Sequence, residues 1–108
     1  MKNEVEWNPK ALQAVQEFPI EVKRELGYLI YRLQLGEKLN MPFSRSMPSV
    51  SKGSHELRVK GADGIFRAFY FLKVEGKVLI FHAFQKKTQK TPKKEIELGK
   101  SYLKEMLK

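Results

Sequence analysis

The sequence contains no cysteine, which excludes disulfides and thiolate metal sites. Histidine is almost as scarce. His55 and His82 are the only two, too few to make a metal site, and no metal-ligand spacing surrounds them. Neither a metal nor any other cofactor is therefore expected. No apolar run approaches transmembrane length, and the polar start Met1-Lys2-Asn3-Glu4 is no signal peptide. A soluble cytoplasmic protein without a membrane partner is the expectation. Internal repeats and low-complexity segments are lacking. Acidic residues are in deficit: 12 Asp and Glu against 21 Lys and Arg leave a net charge of +9 on 108 residues. Such a surplus points to a polyanionic partner, either nucleic acid, an acidic protein or anionic lipid. Lipid fits least, because the basic residues do not line an amphipathic helix with a bulky apolar face.

What is present is the composition of a folded protein, 42% hydrophobic and 11% aromatic, enough for one domain over residues 1–108 with a modest core. Met1 to Trp7 alternates weakly and reads as a short strand. Asn8-Pro9 is a helix start, with Asn8 as cap and Pro9 in the first turn. Leu12, Val15 and Phe18 follow at helical spacing. After the break at Phe18-Pro19, Val22, Leu26, Leu29, Ile30 and Leu33 form the apolar stripe of a second helix, with Gly36 as its stop. Residues 37–54 read as a loop rich in Pro and Ser, and Arg45 and Lys52 add positive charge to it.

His55 to Thr88 reads as three strands divided by two glycine turns, Gly61-Ala62-Asp63-Gly64 and Glu75-Gly76. Regular hairpins place Arg58 opposite Arg67, Lys60 opposite Ile65, Phe69 opposite His82, Arg67 opposite Phe84 and Val74 opposite Lys77. Alternation then gives two faces. Leu57, Val59, Phe66, Ala68, Tyr70, Leu72, Leu79, Phe81 and Ala83 form a core face that also carries His55. Glu56, Arg58, Arg67, Phe69, His82, Phe84 and Lys86 share the other. Like charges opposed across a ladder destabilise a sheet, and an anion between the Arg58 and Arg67 guanidiniums would relieve them. Two solvated arginines splayed apart are the plainer alternative. From Gln85 to Lys94 the chain has five lysines (Lys86, Lys87, Lys90, Lys93 and Lys94) and no acid. Thr91 is a candidate cap for a last helix, with Pro92 at its first position and Ile96, Leu103, Met106 and Leu107 as its stripe. Lys93 and Lys94 oppose the dipole at that helix start unless phosphate binds there.

The motifs Lys52-Gly53-Ser54-His55-Glu56-Leu57-Arg58, Ile65-Phe66-Arg67-Ala68-Phe69-Tyr70 and Phe81-His82-Ala83-Phe84-Gln85-Lys86-Lys87-Thr88, with Pro92-Lys93-Lys94-Glu95-Ile96, resemble the RelE/HigB toxins of type II toxin–antitoxin systems. The similarity is greatest to the phage-derived HigB-like branch and covers nearly the whole chain. The resemblance implies an α+β, RelE-like fold: a small antiparallel sheet, made of a short N-terminal strand and a three-stranded meander. A helical hairpin covers one face, and a short C-terminal helix follows. It also implies a metal-independent endoribonuclease acting on mRNA in the ribosomal A site, neutralised by an acidic helix-turn-helix antitoxin or one with an acidic segment. In such toxins the ribose 2′-OH attacks the adjacent phosphate, which requires a base, cations for the added charge and an acid for the leaving oxygen.

The expected catalytic set is Arg67 and Arg58 on the phosphate, Lys86 and Lys87 as further cations or proton donors, and His82 as a candidate base. Lys60, Lys52, Lys90, Lys93 and Lys94 are expected to bind RNA. Phe69 and Phe84 either stack on bases or pack beneath the loop. Many relatives carry a Tyr or His base near the C-terminus. Here that end offers only Tyr102, so the resemblance assigns no base. Two alternatives stay open: a basic RNA- or DNA-binding module without chemistry, and a degenerate toxin that only binds its antitoxin.

Overall fold

In a computed structural model the structure describes residues 3–86 and 90–108. A short strand, β1 (Glu4–Trp7), leads into the helices α1 (Pro9–Gln16) and α2 (Ile20–Gln34). Strands β2 (Ser44–Ser46), β3 (Ser54–Gly61), β4 (Gly64–Lys73) and β5 (Lys77–Lys86) follow, and helix α3 (Lys93–Met106) comes last. The sheet runs β1-β5-β4-β3-β2.

The helical hairpin forms where local chemistry specifies it. The Asn8 side chain accepts from the Lys10 backbone N–H at 2.9 Å, and Pro9 opens α1. At the far end of α2, Gly36 adopts φ 89°. Its N–H donates to the Leu33 carbonyl at 3.0 Å, and Glu37 N–H donates to Arg32 at 3.1 Å, a Schellman closure that few residues other than glycine permit. Val22, Leu26, Leu29, Ile30 and Leu33 then pack onto Leu57, Val59, Phe66, Ala68 and Tyr70.

The expected α+β architecture is present, with two differences in the sheet. It is mixed rather than antiparallel throughout, because β1 pairs with β5 in parallel. A fifth strand, β2, lies inside the stretch read as loop, with Arg45 opposite Glu56. Pro42 and Pro48 flank this strand and mask its three-residue alternation.

The register of β3 and β4 is the expected one, with Arg58 opposite Arg67. The second hairpin differs near its turn. Lys73 faces Lys77, so the loop has three residues, Val74-Glu75-Gly76, and Gly76 takes φ 84°. A bulge at Phe81 absorbs the offset, so Phe69 still meets His82 and Arg67 still meets Phe84. Between turn and bulge the faces exchange. Val78 and Ile80 join the hairpin core, and Leu79 and Phe81 turn to the opposite side. Leu72, expected in the core, is exposed.

That opposite side is no open platform. Helix α3 and the segment through Met47 and Val50 lie over it, making a second core of Met47, Val50, Phe69, Leu79, Phe81, Phe84 and Leu103. Thr91 does not cap α3. Pro92 holds the cap position without a side-chain hydrogen bond, and the helix begins at Lys93. Leu107, expected in the α3 stripe, is exposed.

Gly99 sits where α3 crosses Phe69, and a Cβ there would lie 2.8 Å from Phe69 Cδ2. Gly27 of α2 would have nothing within 4 Å. Gly27→Ala should raise stability by about 1 kcal/mol through helix propensity. Gly99→Ala gains the same propensity but overpacks a fully buried ring, at a cost of about 1–3 kcal/mol, and should be neutral to destabilising. Urea midpoints moving in the same direction by the same amount would refute the close α3 crossing.

Candidate active site

Four cations from four strands converge on one carboxylate. Glu56 and Arg67 are both fully buried, and the Arg67 Nη1 donates to Glu56 Oε1. Arg45 Nε donates to the same oxygen at 3.2 Å, and Arg58 Nε stands 3.9 Å from it. Thr91 Oγ1 accepts from Lys86 Nζ at 3.2 Å and from Arg45 Nη2 at 3.4 Å, and donates to Glu56 Oε2 at 3.4 Å. One hydroxyl thereby uses both lone pairs and its proton. The strand register explains the convergence: Arg45 and Glu56 are opposed, as are Arg58 and Arg67, and Lys86 faces Ile65, two residues from Arg67.

The cluster has an inner and an outer layer. Arg67 and Lys86 are inner, at 0% and 2% exposure. The Arg45 and Arg58 side chains are outer, at 37% and 21%. Among the described residues Arg58 Nε, though buried, finds no hydrogen-bond acceptor, and Arg58 Nη1 donates to the soft Met41 Sδ at 3.4 Å. Burial, then the charges of Arg67 and Arg45, hold the Arg58 guanidinium below the ordinary arginine range. Burial and next the Arg67 charge bring the Lys86 ammonium down from 10.5 to about 8, with Glu56 working in the other direction. Beside Arg58 a cleft of about 240 Å³ is lined by Glu25, Pro42, Phe43, Arg58, Lys60 and Ile65.

Arg58, Arg67 and Lys86 are thus brought together, and Lys60 joins Arg58 in the cleft. Lys52, Lys90, Lys93 and Lys94 are exposed. Lys87 lies outside the described residues. Arg67 departs from the expected open guanidinium face, because its strand face is roofed by α3 and its charge is matched within the protein. Phe69 and Phe84 are also corrected: buried in the second core, they have no face open to a base. His82 is held by Glu95 at 2.8 Å and stacks on Phe84, with Phe69 and Tyr102 at its edges. Burial lowers its pKa, and Glu95 opposes the shift. His55 is half-buried against Tyr70 on the hairpin side, its pKa lowered by burial and by Lys38.

Sequence reasoning missed the roles of Arg45, Thr91 and Phe43. Pairing of β2 with Glu56 would have revealed Arg45. Phe43, 38% exposed, is the aromatic that the Arg58 cleft presents.

The family model for phage derived protein Gp49-like (DUF891) matches residues 13–104. Among solved structures, the toxin–antitoxin complex RelBE2 from Mycobacterium tuberculosis is similar at a TM-score of 0.58 and 14% identity, covering 80% of this chain and 100% of that one. The isolated E. coli RelE toxin is similar at 0.56 and 15%, covering 96% and 98%. The intact E. coli RelBE complex is similar at 0.53 and 15%, covering 80% and 99%. These likenesses show a RelE-like fold. A search of curated proteins finds no significant match. Among the described residues no helix is long and apolar enough to cross a membrane.

Proposed function

The chain belongs to the phage-derived Gp49-like family, and from that premise we propose that it is the toxin of a type II toxin–antitoxin system, a metal-independent endoribonuclease that cuts mRNA in the ribosomal A site. The observation that carries this reading is the half-open Arg58, with an unused donor, backed by Arg67, Arg45 and Lys86 around one carboxylate. Cations in such surplus leave the cluster positive, and phosphate is the ligand whose geometry matches guanidinium forks. The fold likeness to RelE toxins and RelBE complexes supports both the toxin role and an antitoxin partner, of the helix-turn-helix kind that the resemblance implies.

In this reading Arg58 and Arg45 bind the scissile phosphate directly. Arg67 stabilises the site from behind, holding Glu56 so that it does not quench the outer pair. Phe43 stacks on a neighbouring base, and Lys60 binds backbone. The 2′-OH attacks phosphorus and yields its proton to solvent water, the bond to the 5′ oxygen breaks, and a 2′,3′-cyclic phosphate forms. Lys86, still mostly protonated at neutral pH but inner to the arginines, supplies the proton for the leaving 5′ oxygen through the Thr91 hydroxyl to which it donates.

Mapping 5′-OH ends after incubating the protein with translating ribosomes tests the proposal. New ends within A-site codons, formed equally well in EDTA, are expected. Their absence would sink the nuclease reading. The proton role predicts that single-turnover cleavage declines as pH rises through about 8, and that Lys86→Met removes this limb and slows cleavage about 10²–10⁴-fold. An unchanged pH profile in that variant would exclude Lys86 as the acid. The same shift acts on stability. The folded chain releases the proton near pH 8 and the unfolded chain holds it to about 10.5, so this group favours folding increasingly between those values.

One observation favours a second reading, an RNA- or DNA-binding module or a toxin that keeps only antitoxin binding. His82 and Tyr102, the usual kinds of proton-transfer group, pack against each other at 5.3 Å instead of joining the arginines. End mapping separates the two readings.

A further inference from the structure

One cavity lies away from the arginines. It is a groove of about 420 Å³ between α3 and the segment ahead of β3, lined by Val50, Ser51, Lys100, Leu103, Lys104, Leu107 and Lys108. Its volume falls in the range of ligand pockets, about 300–1,000 Å³. The floor is aliphatic: Val50 and Leu103 are buried there, and Leu107 is left 44% exposed. The rim is cationic, because Lys100, Lys104 and Lys108 recur every fourth residue along one side of the helix and beyond its end. Lys100 has one acidic neighbour, Glu97 at 3.7 Å.

We propose that this groove docks an acidic amphipathic segment of a partner protein, its aliphatic side chains on Val50, Leu103 and Leu107 and its carboxylates on the three lysines. Charge complementarity selects an acidic occupant, and the floor selects protein over RNA. The groove offers no aromatic face for a base and no guanidinium fork for phosphate, which RNA sites use. Apolar anchors with a charged margin are how a helix is read in a groove. The groove shares no lining residue with the Arg58 cleft, so it is a separate surface. Taken with the proposed function the partner is the antitoxin, and only that identification rests on the toxin reading.

The test titrates ¹⁵N-labelled protein with a synthetic helix carrying leucine on one face and glutamate on the other. Amide shifts centred on Val50, Ser51, Leu103 and Leu107 are expected, with affinity falling as salt rises. Leu107→Asp, at an exposed position, should weaken binding at least tenfold, and Lys104→Glu several-fold. Three results would overturn the proposal: equal binding by a peptide with scrambled leucines, shifts centred on Arg45 and Arg58, or displacement of the peptide by single-stranded oligouridine. Cleavage is scored separately. A protein that binds the peptide but never cuts message refutes the nuclease and keeps the groove, and a competent nuclease that ignores the peptide does the reverse.

Discussion

Arg58→Ala should reduce mRNA cleavage about 10²–10³-fold, the usual cost of removing one preorganised donor from a developing oxyanion, with no loss of stability. The two halves of that expectation have separate causes. Arg58 is half-open, its Nε lacks an acceptor among the described residues, and it lies beside the cleft where RNA backbone would run. For stability, it directly opposes Arg67 across the β3–β4 ladder, where like charges are unfavourable. The 3.9 Å approach to Glu56 is a weak compensation for a partly exposed charge. The urea midpoint should therefore stay level or rise. Arg58→Lys keeps the charge but loses the fork, and should recover only part of the rate. Full activity in Arg58→Ala, with the protein folded, would remove Arg58 from the site.

Glu56→Ala should lower the unfolding free energy by about 3–5 kcal/mol, the cost of stripping one partner from a buried ion pair. Domains of this size are stable by about 5–15 kcal/mol, so the variant would be marginal at 37 °C. Glu56 is the acid that sets Arg67 and Arg45 in place and stands nearest in charge to Arg58 and Lys86. Without it, four cations face one another, two of them in the interior. A double-mutant cycle distinguishes this from a simple packing loss. Arg67→Met alone takes from the carboxylate its one fully buried partner and leaves it to Arg45 and the more distant Arg58, whereas Glu56→Gln with Arg67→Met removes both buried charges, and the pair should cost well below the sum of the singles. Additive effects would mean that the Glu56–Arg67 pair carries no coupling.

Much of the frame is legible in residue order, because short-range rules govern it. The Asn8-Pro9 start, the Gly36 stop and the pairing of Arg58 with Arg67 each depend on a few neighbouring residues and on turn geometry. Legible too is the gathering of basic residues on one strand face. The second hairpin shows the limit of such rules. A turn one residue longer than expected and a bulge at Phe81 cancel, so the distant pairs agree and Leu79 and Phe81 between them change sides.

Alternation along a strand tells which side chains share a face, and these residues wrote that down for Glu56, Arg58, Arg67 and Lys86 without any coordinates. It carries no information on what will cover the face. The approach of α3, the Met47–Val50 segment and β2 is a long-range packing event, and it divided that row into buried Arg67 and Lys86 and half-open Arg58, with Arg45 added from another strand. Whether a cation meets phosphate or a carboxylate of its own chain depends on that covering.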